Sequence, residues 1–113
     1  MRKRDEKHLA FIRTLPCIIC GDNTSTEACH IRMSDARIAK PATGIAIKPD
    51  DKYVLPMCGA HHRDQHKMSE RRFWEQQNID AVLVALAIYS VSGDAEESEA
   101  IMRGRQVSIL AAG

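Results

Sequence analysis

The sequence predicts an α+β fold in which two short strands and a metal-binding helix form a small core, with flanking helices at both ends. Three observations support this fold class. Cysteine and histidine stand at metal-ligand spacings in two places, Cys17-x-x-Cys20 and Cys58-x-x-His61. Short apolar stretches around residues 30 and 55 are typical of strands, and apolar side chains from residue 79 onward recur at helical spacing.

The chain of 113 residues has the size of one domain, and its core must be small because it holds only one Trp, two Tyr and two Phe. It contains no apolar run long enough to span a membrane, and the segment Met1–Glu6 is too polar to begin a cleaved signal peptide. We therefore expect a cytoplasmic protein that does not enter a membrane. In that reducing compartment the four cysteines favour metal binding over disulfides.

The net charge of +1 is unevenly distributed along the chain. Residues 1–72 contain 14 Lys and Arg against 9 Asp and Glu, a balance of +5, whereas residues 73–113 contain 2 against 6, a balance of −4. A basic segment that also carries the metal motifs fits a polyanionic substrate such as nucleic acid. A solvated basic surface with an acidic tail explains the charge equally well.

The first predicted element leads into the first metal motif. Residues 5–15 have the spacing of a short amphipathic helix and precede Pro16, which cannot continue a helix. The segment Cys17-Ile-Ile-Cys20-Gly21 then offers two thiolates in a turn. A redox dithiol is the alternative, but metal binding is favoured because no βαβ pattern surrounds the pair and a Cys/His motif lies downstream.

Residues 28–33 are expected to form a strand around His30, which taken alone would be a hydrogen-bonded core histidine. A long basic loop over residues 34–50 follows this strand. Connections of such length usually bind something, so we expect this loop to be mobile without ligand and to contact phosphate. The expected phosphate contacts in the loop are Arg37, Lys40 and Lys48.

A second strand is expected over residues 51–58, followed by helices over residues 60–67, from Ser69 onward, and over residues 78–91. The last of these helices is apolar on more than one side, which predicts burial on two sides or a contact between copies, as in a homodimer. Phe73 and Trp74 are expected to pack in the core, with base stacking by Trp74 as the alternative.

Residues 1–93 are thus predicted to form the domain. Residues 94–113 are predicted to form a tail that is first acidic, then apolar, and partly helical.

The stretch from Cys58 to His66 concentrates metal-binding side chains. His62 and His66 are four residues apart and share one helix face, whereas the adjacent His61 and His62 point about 100° apart on a helix. The stretch therefore predicts two metal sites. One is a closed structural site that takes Cys58 and His61, and the other is an open site at His62 and His66.

Taken in chain order, the motifs are a Cys pair, a histidine in a strand, and a helix that begins with a Cys/His motif and carries two further histidines. This pattern resembles the HNH, or ββα-metal, nucleases, and most closely the phage and prophage family related to the recombination-enhancement nuclease of bacteriophage. The resemblance covers roughly residues 8–90. The matching segments are Cys17 and Cys20, His30-Ile31-Arg32, Met57-Cys58-x-x-His61-His62-x-x-x-His66, and Phe73-Trp74.

The resemblance implies an endonuclease that hydrolyses phosphodiester bonds in DNA in a bacterial or phage-infected cell, with single strands or recombination intermediates as candidate substrates. It implies that His30 is the general base and that His62 and His66 hold a catalytic divalent cation, Mg²⁺, Mn²⁺ or Zn²⁺. Hydrolysis needs an activated water and a cation that neutralises charge on the phosphate, and these residues provide both. Arg32 joins the loop residues as an expected nucleic-acid contact. The implied ligands of a structural Zn²⁺ are Cys17, Cys20, Cys58 and His61.

The chain departs from the family pattern at two positions. Tyr53 stands where many members have Asn, and Cys29 stands where Asp or His often binds the cation. Asp50 or Asp51 could instead orient His30 or complete the cation shell. A thiolate at Cys29 would favour a softer ion such as zinc, but a small buried residue is the favoured interpretation because magnesium and thiolate are poorly matched.

Two other function classes stay open. One is a zinc-stabilised nucleic-acid-binding module that has lost catalysis, and the other is a structural or adaptor zinc domain in a phage complex. His62 and His66 favour the nuclease, because a plain zinc module needs one closed site and has no use for further histidines on the helix.

Overall fold

The computed structural model describes residues 3–43 and 49–112, with side chains as far as Gly104. These residues form five helices, one 3₁₀ turn and a two-stranded antiparallel sheet, which confirms the predicted α+β class. In chain order the elements are α1 (Glu6–Ile12), β1 (Thr26–His30), the 3₁₀ turn (Ala36–Ile38), β2 (Val54–Cys58), α2 (Gly59–His66), α3 (Glu70–Gln77), α4 (Ala81–Ser90) and α5 (Ala95–Ala112).

The sheet is a hairpin whose register fixes which side chains face the helices. Thr26 pairs with Cys58 at one end, and His30 pairs with Val54 at the other. Side chains alternate between the two faces of a strand, so Glu27 and Cys29 lie on one face of β1 and His30 lies on the other. The helix α2 starts directly after Cys58, and this joins the second metal motif rigidly to the end of β2.

Several helix boundaries follow from capping. Asp5 caps α1 through a hydrogen bond from the His8 amide, and the helix ends at Ile12, earlier than predicted. Ser69 caps α3 as predicted, because its hydroxyl accepts from the Arg72 amide. Asn78 closes α3 in the left-handed conformation, with φ of 57°. The helix predicted over residues 78–91 is confirmed as α4, but it begins at Ala81 rather than at residue 78.

The core lies between the hairpin and the helices. Phe73 and Trp74 are almost fully buried, with their rings edge to face at 5.0 Å, which confirms the predicted packing role. The buried residues of α4 pack against β2 and α5, so its wide apolar surface is largely covered within the chain. Leu83 and Tyr89 stay exposed on α4, and a homodimer stays a prediction.

The first part of the predicted tail, residues 94–104, packs against the rest of the domain. Gly93, with φ of 95°, lies in the turn between α4 and α5. The helix α5 continues through Gly104, and its residues Ser98 and Met102 are buried. Across the described part of the chain, no helix combines the length and the apolar character that crossing a bilayer requires.

Candidate functional site

Four metal-binding side chains converge where the first loop meets the start of α2. The donor atoms of Cys17, Cys20, Cys58 and His61 all lie within 4.8 Å of one another. The Cys20 and Cys58 sulfurs are 3.9 Å apart, and His61 Nδ1 lies 3.2 Å from Cys58 Sγ and 3.9 Å from Cys17 Sγ.

Four donors around a tetrahedral zinc ion would be separated by roughly 3.5 to 3.8 Å, and the three distances given above, 3.2 to 3.9 Å, lie close to this range. Three thiols and an imidazole are also a donor set that zinc favours. The cluster could therefore hold a metal ion of this kind. It joins residues that are 44 positions apart in the chain, and it thus ties the loop before β1 to the end of β2 and the start of α2.

The backbone around Cys17 favours a thiolate. Burial works against ionisation of this thiol, but hydrogen bonds from the amides of Cys58, Cys20 and Ile19 outweigh it and lower its pKa. The Ile19 amide, for example, lies 3.4 Å from Cys17 Sγ. A deprotonated sulfur is the form that binds metal.

Cys29 lies outside the cluster. Its side chain is fully buried, and burial raises the pKa of its thiol to about 12. Its sulfur lies 4.0 Å from the amide oxygen of Gln65, which is also buried on α2. A protonated, buried thiol agrees with the interpretation of Cys29 as a small core residue.

His30 is paired with a buried carboxylate. His30 Nε2 lies 2.9 Å from Asp51 Oδ1, and the Asp51 side chain is 0% exposed. The second oxygen of Asp51 accepts from the Asp5 amide at 2.8 Å, and the Asp51 amide donates to the Lys3 carbonyl at 3.0 Å. The chain before α1 thus holds Asp51 in place.

Asp50, the other candidate carboxylate, accepts from the Lys3 amide at 2.8 Å. Of the two carboxylates, Asp51 lies within hydrogen-bonding distance of His30.

The two remaining histidines lie side by side on α2. The ring centres of His62 and His66 are 5.0 Å apart. A cation about 2 Å from one nitrogen of each ring would separate ring centres by roughly 4.5 to 5.5 Å, so the pair could share one ion. His62 Nδ1 also donates to Glu27 Oε1 on β1 at 2.8 Å.

Arg32 lies close to His66 at the far end of α2. Both residues line a cavity of about 230 Å³, together with Gln65, Met68 and Glu70. The Glu70 carboxylate accepts from the backbone amides of Arg32 at 3.0 Å and of Met33 at 2.6 Å. The start of α3 therefore fixes the backbone that follows β1.

The predicted phosphate-contacting loop is built differently from expectation. Lys40 is 4% exposed, its ammonium donates to the Met33 carbonyl at 2.6 Å, and burial lowers the pKa of its amine. Arg37 forms ion pairs with Asp35 and Asp80, the latter at 2.8 Å. The Lys40 side chain therefore holds the loop to the strand end in this structure, and its phosphate contact stays a prediction.

Arg37 remains exposed, but a phosphate would have to displace two carboxylates from its guanidinium. Lys48 falls outside the described residues.

Lys40→Met is expected to lower the free energy of unfolding by about 1 to 3 kcal/mol, because it removes a charged hydrogen bond from a half-buried carbonyl. Denaturant unfolding measures this loss. Lys52→Met is the matched control, since Lys52 also lies over the Tyr53 ring, at 5.2 Å against 4.9 Å for Lys40. A Lys40→Met protein of normal stability, whose DNA binding loses about 0.9 units of salt slope, would instead favour the predicted phosphate contact.

The sequence analysis missed Glu27 and His8. Glu27 lies two residues before Cys29. Because side chains alternate along a strand, both residues lie on the face of β1 that is turned toward α2. His8 is 1% exposed, with Nδ1 2.7 Å from the Ser92 hydroxyl and its ring edge-on to Tyr89. Burial lowers the pKa of this imidazole. His8 joins α1 to the end of α4, and no local pattern marks such a contact.

The comparisons with known proteins give a family without an assigned activity. A search of curated proteins and a search of solved structures each found nothing that matches the chain. The matched family segment includes α1, both strands and α2 to α4, and it ends before α5. Because residues 1–92 match the family described as "Protein of unknown function (DUF968)", the chain belongs to the DUF968 family.

Proposed function

We propose that this protein is a metal-dependent endonuclease of the ββα-metal, or HNH, type that hydrolyses phosphodiester bonds in DNA. The observation that carries the proposal is the pair formed by His30 and the fully buried Asp51 at the end of β1. The same β1, β2 and α2 unit bears His62 and His66, and the cluster that could hold zinc joins its ends.

The His30 to Asp51 pair has the properties of a positioned general base. Asp51 accepts from His30 Nε2, so the neutral ring carries its proton there and Nδ1 is the basic nitrogen. The carboxylate also stabilises the imidazolium that forms when His30 takes a proton from water. In the proposed reaction His30 removes this proton, the water oxygen bonds to the phosphorus, and the bond from phosphorus to one sugar oxygen breaks. The departing sugar oxygen takes a proton from solvent.

His62 and His66 would hold the divalent cation, which supplies charge neutralisation at the phosphate and at the leaving oxygen. Arg32 lines the same cavity as His66, and its guanidinium would bind the phosphate there. His30 and the face toward α2 lie on opposite sides of β1. The proposal therefore requires the scissile phosphate to reach across the strand end, where Arg32 follows His30.

The basic charge of residues 1–72 supports a DNA substrate. Single strands or recombination intermediates, in the cytoplasm of a bacterial or phage-infected cell, are the substrates we propose.

A zinc-stabilised nucleic-acid-binding module without catalysis is the second candidate. Cys29 favours it, because a protonated, buried thiol stands where a cation-binding side chain occurs in similar nucleases. In that case His62 and His66 would be surface residues without a catalytic cation.

A plasmid-nicking assay separates the two candidates. We expect nicking by the wild-type protein with Mg²⁺, Mn²⁺, Ni²⁺ or Zn²⁺ and none with a chelator that spares the structural site. His66→Ala should raise the cation concentration needed for half-maximal activity, because it removes one of two protein ligands.

Asp64→Ala is the matched control, because Asp64 lies between the histidines on α2 and its carboxylate pairs with Lys67 at 3.4 Å. Absence of nicking with every cation, in a folded and zinc-loaded protein that still binds DNA, would favour the binding module.

A further inference from the structure

We infer that Glu27 is a positioning residue for a divalent cation at His62 and His66, because its carboxylate holds His62 in the tautomer whose Nε2 binds the ion. The inference rests on the proposed function and adds a residue to it. Glu27 is neither in the HNH-like motifs nor at the departure positions of this chain. Its assignment comes from the hairpin and from one hydrogen bond.

The hairpin directs Glu27 toward α2. Glu27 and Cys29 share a face of β1, and Cys29 Sγ lies 4.0 Å from Gln65 Oε1 on α2. One turn earlier along the helix, Glu27 Oε1 meets His62 Nδ1 at 2.8 Å. The strand therefore offers a buried thiol near one end of α2 and a carboxylate near the other.

Gly59 makes room for this carboxylate at the first turn of α2. A Cβ atom at Gly59 would lie 3.3 Å from Glu27 Oε2 and 3.1 Å from Arg63 Nη1, which is closer than an ordinary carbon contact. The positive end of the helix dipole also lies at this turn and favours a negative charge. The carboxylate is thus placed by the strand and by the helix start.

The hydrogen bond decides which nitrogen of His62 can bind a cation. A carboxylate oxygen only accepts, so Nδ1 carries the proton and the neutral ring keeps its lone pair on Nε2. Metal-bound histidines usually donate the N–H of their second ring nitrogen to a carboxylate, a backbone carbonyl or water, and loss of that partner weakens metal binding. His62 is 23% exposed on its side chain, and His66 is exposed, so an ion can reach the pair.

Calorimetric titration of Mn²⁺ into the zinc-loaded protein tests the inference. We expect Glu27→Ala to weaken Mn²⁺ binding about 10- to 100-fold, the usual effect of losing such a partner, with zinc content unchanged. Glu27→Gln should lose less, because its amide oxygen can still accept from Nδ1. Asp64→Ala removes one carboxylate from the same helix and should bind Mn²⁺ as the wild type does.

The His62 tautomer is a second readout that a merely structural role would not change. Nitrogen-15 NMR of the zinc-loaded protein without Mn²⁺ should show His62 protonated at Nδ1, and Glu27→Ala should shift it toward protonation at Nε2. Wild-type Mn²⁺ affinity in Glu27→Ala would overturn the inference, and so would a wild-type tautomer of His62.

The inference and the proposed function can fail separately. If Glu27→Ala binds Mn²⁺ more weakly and the wild-type protein nicks no DNA, the cation site is supported and the nuclease proposal is overturned. If the wild-type protein nicks DNA normally and Glu27→Ala binds Mn²⁺ with unchanged affinity, the nuclease proposal is supported and the role of Glu27 is overturned. A wild-type protein that binds no Mn²⁺ beside its zinc would overturn both.

Discussion

A Cys58→Ser protein is expected to lose its zinc and to be largely unfolded at room temperature. Cys58 is the last residue of β2, and its sulfur contacts donors from the loop before β1 and from α2. A structural zinc site contributes roughly 10 kcal/mol or more to folding in small domains, which is comparable to the whole stability of a chain of this size. Elemental analysis and circular dichroism measure the two effects.

Cys29→Ala is the matched control for this experiment. Cys29 is as buried as any residue of the core, but it lies outside the cluster. We expect this variant to keep one zinc per chain and to lose only about 1 to 2 kcal/mol, because removing the sulfur leaves a small cavity. A Cys58→Ser protein that keeps zinc and unfolds like the wild type would contradict the structural role of the cluster.

His30→Gln is expected to lower DNA cleavage by about 10²- to 10⁴-fold, the usual contribution of a positioned general base. Glutamine has an N–H group that can still donate to Asp51, but it has no basic nitrogen. His30→Ala should lose as much activity and also some stability, because it removes a partner of the fully buried Asp51. Nicking rates under saturating cation, with zinc content and thermal unfolding measured in parallel, separate these effects.

Asp51→Asn completes this series. It removes the negative charge that stabilises the imidazolium, so we expect cleavage between that of the wild type and that of His30→Gln. Wild-type cleavage by His30→Gln, in a preparation free of contaminating nuclease, would refute the assignment of His30 as general base.

The sequence by itself determined the features that depend on local spacing. Cys17, Cys20, Cys58 and His61 stand at separations typical of metal ligands, and the structure brings all four within 4.8 Å of one another. The four-residue separation of His62 and His66 sufficed to place them side by side on a helix. Such patterns are visible because turn and helix geometry link neighbours without reference to the rest of the chain.

Only the tertiary structure decided which carboxylates hydrogen-bond to the histidines of the candidate site. The partner of His30 is 21 residues away, and the partner of His62 is 35 residues away. Both contacts depend on the hairpin register, which sets the face of each side chain, and on how α1 and α2 pack against the hairpin. Lys40 is a further example, because it is buried with its ammonium on the Met33 carbonyl, seven residues back, whereas the sequence showed only a basic residue in a loop.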